Sequence, residues 1–503
     1  MTQFSELEKL RMLTAFGKLT SEVIKLYGFE ESLVVTNDWT GGLVAKHCRS
    51  LMPGVKFVHI VHNLDEGYQG ITYVPRDQAE RVMNMTGLKD EELEYQDTVV
   101  RINPSLVALQ KSDSWGTVSR TYLRSLLTRE EMFSSRFPQM SFGWSNGIDR
   151  DGVVSRIKQN LKLPAGKDLG WETHLQAKRF ILKQYFSEEG RESESVLVST
   201  IGRITQQKQS FELLEAIEEL VKTFGTHLKI LIAGNDSPSD PYGAQCRELC
   251  AKLRKKYPIQ FWGDPSQFFS EHKHELLHGS NFGLMYSKFE PGGLVQLEYL
   301  AAQTPVLVTK TGGLLDTVQD LTEDYQVGNG YFIEPNSQPG LAAALSKALL
   351  LYRHVETYKN VRERMYHSAL DVDSVSEKYL HLFYTTMHKI YSGRSPNSLG
   401  SDFDGLNSSV RHTDQSTMIQ LELPPAVSAE TVIAMLCEVG YSEKISEHQM
   451  IPTRADGSSF CLRSEYLLKN HHILFMLDGK NKYVCPTLMV DTNPQLGTCN
   501  LLL

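Results

Sequence analysis

No apolar run in these 503 residues approaches the roughly 20 that a membrane-crossing helix needs, so a spanning role is not expected. Basic blocks are missing too. The chain carries 52 Lys and Arg against 60 Asp and Glu, a net charge of −8, which gives a nucleic-acid partner no electrostatic support. Cysteine is sparse and scattered: Cys48, Cys246, Cys250, Cys437, Cys461, Cys485 and Cys499. Only Cys246 and Cys250 are close, at the spacing of one helix face. A disulfide framework or a zinc site is therefore not expected, and reduced thiols in a cytoplasmic protein are. The first residues, MTQFSELEKLRML, form a charged amphipathic pattern rather than a signal peptide. Internal repeats and low-complexity tracts are absent. What remains, 41% hydrophobic and 22% charged residues, is ordinary for a globular protein, and the length suggests about three domains.

The order of apolar runs indicates an α/β architecture. Residues 4–27 read as a helix, with Leu7, Leu10, Leu13, Phe16, Leu19, Val23 and Leu26 at three- and four-residue steps. Short strands then alternate with helices: Ser32–Thr36, Lys56–His62 and a run ending at Thr117–Ser119. The stretch Arg156–Ser187 reads as helical and connecting. A second series begins at Ser195 and runs through His227–Gly234, Ile259–Gly263, Phe282–Tyr286, Pro305–Thr309 and Gly330–Ile333. Helices over Phe211–Phe224, Tyr242–Lys256, Gly340–Tyr352 and Ser374–Tyr391 complete it. This predicts two doubly wound lobes, residues 1–155 and 156–375, with a crevice between them as the default ligand site. A closing helix (376–392), a Ser/Gly/Asn-rich linker (393–416) and a small β-sandwich (417–503) follow.

The second lobe holds two glycine turns, each after an apolar run and each opening a helix. Phe289-Glu290-Pro291-Gly292-Gly293 precedes a helix from Leu294, and Thr311-Gly312-Gly313 precedes one near Leu314. Such turns aim backbone N–H groups and the positive end of a helix dipole at one spot, and glycine lets an anion approach. Upstream, Arg203 and Lys208 lie five apart in a loop that follows a strand directly, placed to meet the two phosphates of a nucleotide diphosphate. Taken singly each has a plain alternative. Glu290 is also a dipole partner, Glu298 a surface carboxylate, His62 a structural histidine at a strand end, and Asp38 a helix cap.

Taken together, GRITQQK (202–208), KFEPGGLVQLEYL (288–300) and TKTGGLLDTV (309–318) resemble the bacterial glycogen synthase and plant starch synthase family. NDWTGGL (37–43), VHNLDEGYQG (61–70), WGTVSRTYL (115–123) and SNGID (145–149) occur in that family's order as well. The resemblance covers roughly residues 5–392. It implies a GT-B fold and a retaining glucosyltransferase, one that moves glucose from ADP-glucose or UDP-glucose to the 4-hydroxyl end of an α-1,4-glucan. By that resemblance Arg203 and Lys208 bind the donor diphosphate, and Glu290 sits near the sugar hydroxyls with the amides of Gly292, Gly293 and Leu294. Thr311, Gly312 and Gly313 line the phosphates, and Glu298 holds the ribose. His62 contacts the donor glucose from the first lobe, where Asp38 and Asn146 shape the wall. The fold needs no metal or other cofactor for this, because cations and helix ends take the charge.

The chain also departs from the family. The family's opening strand and K-x-G-G-L loop are not in this sequence, which implies an incomplete first lobe with an exposed sheet edge. Either the chain is a fragment, or a protein partner completes the lobe, or catalysis is lost. Gly292-Gly293 stands where the family has Cys–Gly, Glu298 where starch synthases carry an aromatic, and two residues are inserted in HNLDEGYQG. Residues 471–503 resemble the end of the glycogen-binding module of AMP-activated kinase β subunits. Those modules grip glucan with tryptophans, whereas all five here (Trp39, Trp115, Trp144, Trp171, Trp262) precede the tail, which favours packing or partner docking there. Two rival expectations stand beside the synthase: a non-catalytic, synthase-like structural or glucan-binding subunit, and a sucrose- or trehalose-type synthase on the same fold.

Overall fold

The computed structural model describes residues 5–26, 32–128, 140–188, 190, 194–236, 240–265 and 271–388, and beyond them only short extended segments between 410 and 501. The first lobe opens with α1 (Glu6–Leu26) and continues β1 (Leu33–Asn37), α2 (Val44–Leu51) and β2 (Lys56–Val61). β3 (Thr72–Pro75), α3 (Ala79–Thr86), β4 (Glu94–Gln96) and β5 (Val99–Ile102) follow. The lobe then closes with α4 (Pro104–Lys111), β6 (Ser114–Thr117), α5 (Arg120–Leu127) and β7 (Met140–Gly143). Its main sheet is parallel, in the order β1-β2-β6-β7. β2 and β6 are central and almost wholly buried, as parallel strands covered on both faces must be. β1 is an edge strand and only partly covered.

The second lobe contains α6 (Arg150–Asn160), α7 (Trp171–Phe186), β8 (Val196–Ile201), α8 (Ser210–Phe224), β9 (Leu228–Ala233), α9 (Pro241–Lys256) and β10 (Phe261–Gly263). It continues with α10 (Lys273–Gly279), β11 (Phe282–Met285), α11 (Val295–Ala301), β12 (Val306–Thr309), α12 (Leu314–Thr317), β13 (Gly330–Ile333), α13 (Gln338–Arg353) and α14 (Val355–Ser368). Six parallel strands run in the order β10-β9-β8-β11-β12-β13. The winding reverses between β8 and β11, and a doubly wound sheet has its ligand crevice at the carboxyl ends of the strands flanking such a switch point. The expected two α/β lobes with parallel sheets are thus present, with helices and strands close to the predicted positions; the second is doubly wound, and the four parallel strands of the first run in chain order.

Several details differ from expectation. The strand predicted to end at Ser119 stops at Thr117, and Ser119 caps α5 by accepting from the Tyr122 N–H at 3.1 Å. The antiparallel sheet β3-β5-β4 and helix α14 were not anticipated. The expected lobe boundaries at 155/156 and 375/376 fall within α6 and a last helix, α15 (Val372–His388). Val153 and Ile157 of α6 already pack in the second-lobe core. α15 returns to the first lobe, where the Tyr379 ring meets Phe142 at 5.8 Å and Trp144 at 5.3 Å, and Ser114 and Thr386 share a hydroxyl hydrogen bond of 3.0 Å. The two crossings are tied side by side: Ile148 N–H donates to Leu370 O, and Val372 N–H to Ile148 O, both at 3.0 Å.

In the tail, Ser416–Glu422 pairs antiparallel with Val410–Thr413 and His472–Asp478. The extended runs expected at 431–439, 459–463 and 483–485, and with them the predicted sandwich, lie outside the described residues. So does most of the linker.

Candidate functional site

The crevice floor is made by loops leaving β8 and β11, and their backbones are stitched together. Lys288 N–H donates to Gln207 O at 2.9 Å, and the Gln207 amide donates back to Phe289 O at 3.1 Å. The loop after β8 is itself packed on the one after β9. A Cβ on Gly234 would lie 1.7 Å from Gly202 O, so only glycine fits there. This scaffold sets Lys208 against Glu290. The ammonium donates to the carboxylate, and Ser287 Oγ donates to the same oxygen at 3.3 Å. Glu290 is buried, at 6% exposure, while Lys208 reaches solvent on its crevice side. Arg203 is exposed, and no carboxylate pairs with it among the described residues; its guanidinium lies over the Tyr68 ring of the first lobe, 5.4 Å from the centroid.

The glycine turns come together as expected, with a further reason for their small size. A Cβ on Gly312, at φ +46°, would sit 1.9 Å from Glu290 O, and one on Gly292 would sit 2.9 Å from Val118 of the first lobe. The two turns therefore touch each other and the facing lobe, and glycine serves that contact as well as any ligand. The Gly313 N–H is already engaged, donating to Glu290 O at 2.9 Å and Pro291 O at 3.1 Å. Thr311 Oγ1 donates weakly to Lys288 O at 3.5 Å. Leu294 is 46% exposed at the start of α11, beside Gly293 at φ +71°.

Glu298 lies in the first turn of α11, half-buried. Lys273 donates to one of its oxygens at 2.7 Å, and the other oxygen is buried with no hydrogen-bond partner. It is therefore not the surface carboxylate considered above.

From the first lobe, Asp38 and His62 stand side by side at the ends of β1 and β2. The Asp38 carboxylate accepts from the His62 backbone N–H at 2.7 Å, and His62 Nε2 meets Asn37 Oδ1 at 3.1 Å. Asp38 does not cap the short helix after it: no side-chain cap bond forms, and its φ of 50° is unusual for a non-glycine residue. Such backbone strain persists only where neighbours hold it, here through Asp38 N–H to Ile60 O at 2.9 Å. His59, three residues back on β2, is fully buried with Nδ1 against Thr36 Oγ1 at 2.8 Å, and burial pushes its pKa down to about 3. It is thus the structural histidine of the pair, and His62, just past the carboxyl end of β2, is partly exposed. Asn146 lies partly exposed in the turn from β7 into α6, beside the inter-lobe crossing.

The residues brought together are therefore Arg203, Lys208, Glu290, Gly292, Gly293, Thr311, Gly312 and Gly313. Not singled out from sequence were Ser287, Gln207 and the first-lobe residues that meet this floor. Ser119 Oγ donates to Pro291 O, Thr121 N–H donates to Asp316 at 3.0 Å, and the Tyr122 and Phe289 rings lie 5.1 Å apart. Tyr68 belongs to the VHNLDEGYQG motif. None of these contacts has a local sequence signal, since each depends on which lobe surfaces meet.

Comparison with known proteins agrees with this architecture. Residues 5–137 match the family model described as "Starch synthase catalytic domain", and residues 183–368 match "Glycosyl transferases group 1". The glycogen synthase of Francisella tularensis subsp. novicida is 27% identical over 384 residues, covering 71% of this chain and 72% of that one. That of Francisella philomiragia is 27% identical over 382 residues, covering 72% of each. Among solved structures, the catalytic domain of Starch Synthase IV from Arabidopsis thaliana, bound to ADP and acarbose, superposes with a TM-score of 0.63 at 20% identity, covering 76% of this chain and 78% of that one. An α,α-trehalose-phosphate synthase from Burkholderia vietnamiensis superposes at 0.52 and 12% identity, over 76% and 81%. The fold is GT-B.

Proposed function

We propose that this GT-B glycosyltransferase, of the glycogen and starch synthase family, is a retaining glucosyltransferase that extends an α-1,4-glucan from ADP-glucose or UDP-glucose. The observation that carries this is the convergence of Arg203, Lys208 and Glu290 on one floor at the β8/β11 switch point, with Tyr68 of the first lobe reaching over it. The two collinear family matches and the glycogen synthase relatives support it.

In this reading the donor diphosphate lies over Arg203 and Lys208. The bond from glucose C1 to the diphosphate oxygen breaks, and C1 bonds to the 4-oxygen of the acceptor on the same face. The acceptor's hydroxyl proton leaves with the phosphate. The two cations meet the negative charge that grows on the departing nucleotide, which is where preorganised charge lowers a barrier most. Glu290 holds Lys208 in place and faces the sugar hydroxyls; His62 closes the sugar site from the other lobe. Glu298, with its unpartnered oxygen, is suited to a ribose hydroxyl. Three buried free thiols, Cys48, Cys246 and Cys250, fit a cytosolic setting, and no helix among the described residues is long and apolar enough to cross a membrane.

The test is incorporation of labelled glucose from each nucleotide sugar into glycogen. Transfer that is lost in Arg203→Ala and Glu290→Ala supports the enzyme. Donor binding with no turnover in the wild-type chain would overturn it in favour of a non-catalytic subunit.

A further inference from the structure

We infer that Tyr68 is a positioning residue for the donor, a first-lobe ring that holds Arg203 ready for the diphosphate; this rests on the donor-site reading above. The segment that carries Tyr68 is pinned from three sides. Leu64 N–H donates to the Tyr122 hydroxyl at 2.6 Å, and Ser105 Oγ donates to Gln69 O at 3.0 Å. The buried Gln69 amide also donates to Leu64 O at 2.8 Å and accepts from Asn103. Gly70, at φ +67°, lies so close to Trp39 that a Cβ would sit 2.6 Å from the indole. Between these anchors Tyr68 is only half-buried, and it reaches across the crevice. Its hydroxyl donates to Gln207 Oε1 at 3.3 Å, and its ring takes the Arg203 guanidinium at 5.4 Å.

The geometry matters because a guanidinium bound by its face keeps its N–H donors free in its own plane. Lys208 is different: its charge is already taken by Glu290. Arg203 is therefore the cation that a diphosphate meets without displacing an acid. The ring restricts a long side chain before the ligand arrives, so less rotamer freedom is lost on binding. Because ring and cation belong to different lobes, the same contact ties donor affinity to the apposition of the lobes.

The experiment is calorimetric titration of ADP and UDP into the full chain and into Tyr68→Leu, Tyr68→Phe, Arg203→Ala and Tyr68→Leu/Arg203→Ala. Melting temperature is recorded for each. Tyr68→Leu should weaken nucleotide binding about 3- to 10-fold with an unchanged melting temperature. Tyr68→Phe, which keeps the ring, should restore most of that affinity. In the Arg203→Ala background the Leu substitution should change affinity no further. Equal losses in Phe and Leu, or additive losses with Arg203→Ala, would overturn the inference while leaving the donor site intact. If the wild-type chain binds neither nucleotide, the donor-site reading fails and this inference with it.

Discussion

Glu290 and the donor diphosphate compete for one ammonium, and this competition can be measured. Lys208 keeps 21% of its side chain in solvent and Glu290 8%, so the pair stands between an exposed salt bridge and a buried one. Exposed pairs contribute roughly 0–1 kcal/mol, and breaking buried ones costs roughly 3–5 kcal/mol. A value of about 1.4 kcal/mol is reasonable for this intermediate site, and it corresponds to a factor of about ten in affinity. Glu290→Gln keeps the volume and the contact with Ser287 but removes the charge that holds Lys208. Free ADP and UDP should then bind about tenfold more tightly, because Lys208 no longer has to be shared and a nearby negative charge is gone. The nucleotide sugars should gain less, since the amide is a poorer partner for the glucose hydroxyls. Transfer to glycogen should fall about 100-fold or more, as expected for loss of an aligned group at the reacting sugar. Calorimetry with the four nucleotides and a single-turnover transfer assay read the two effects separately. Unchanged or weaker ADP and UDP binding in a Glu290→Gln protein that still melts normally would refute the placement of Lys208 at the diphosphate.

Three further outcomes follow from the same structure. Arg362 is 2% exposed and donates to His278 O and Ser280 O, both at 2.9 Å, at the carboxyl end of α10. Arg362→Met should remove the charged donor from both carbonyls, leaving His278 O with His174 Nδ1 at 2.8 Å and Ser280 O with Thr304 Oγ1 at 3.4 Å, and lower stability by about 1.5–3 kcal/mol in urea melts, whereas a change under about 0.5 kcal/mol would contradict this role. His59 and His278 are held down to about pKa 3, and His174 well below its usual value, each chiefly by burial. The unfolded chain takes up protons below about pH 6.5 that the folded chain refuses. Stability should therefore fall as pH drops from there, by up to about 1.4 kcal/mol per pH unit for each histidine; a flat urea midpoint between pH 7 and 5 would count against buried neutral rings. Gly312→Ala forces a side chain into Glu290 O at φ +46°, so it should cost about 2–4 kcal/mol and also weaken ADP and UDP binding; an unaltered melt would show that the two turns do not touch.

The two lobes were legible because buried parallel strands read as continuous apolar runs, as in Ile230–Ala233 and Val306–Val308. α14 was hidden by its charges: Tyr358, Val361 and Met365 are spaced for a helix, but Glu356, Lys359 and Arg362 lie among them, and Arg362 turns inward. β3, β4 and β5 are three or four residues long and carry Glu94 and Arg101, too little for a period to emerge. In the site, Arg203, Lys208 and the glycine turns could be found because each follows a strand directly. Their partners could not. Tyr68 meets Arg203, and Asp316 meets Thr121, only because two lobes far apart in the chain are pressed together. The extra tightness of Gly292 against Val118 has the same origin.

A structure of the chain with ADP or UDP bound tests the central claim most directly. Both phosphates should lie at the β8/β11 crevice, within hydrogen-bond reach of the Arg203 guanidinium and Lys208 Nζ, with His62 facing from the first lobe. A nucleotide bound elsewhere, with Lys208 still closed on Glu290 and no phosphate within reach of the Arg203 guanidinium, would contradict this placement.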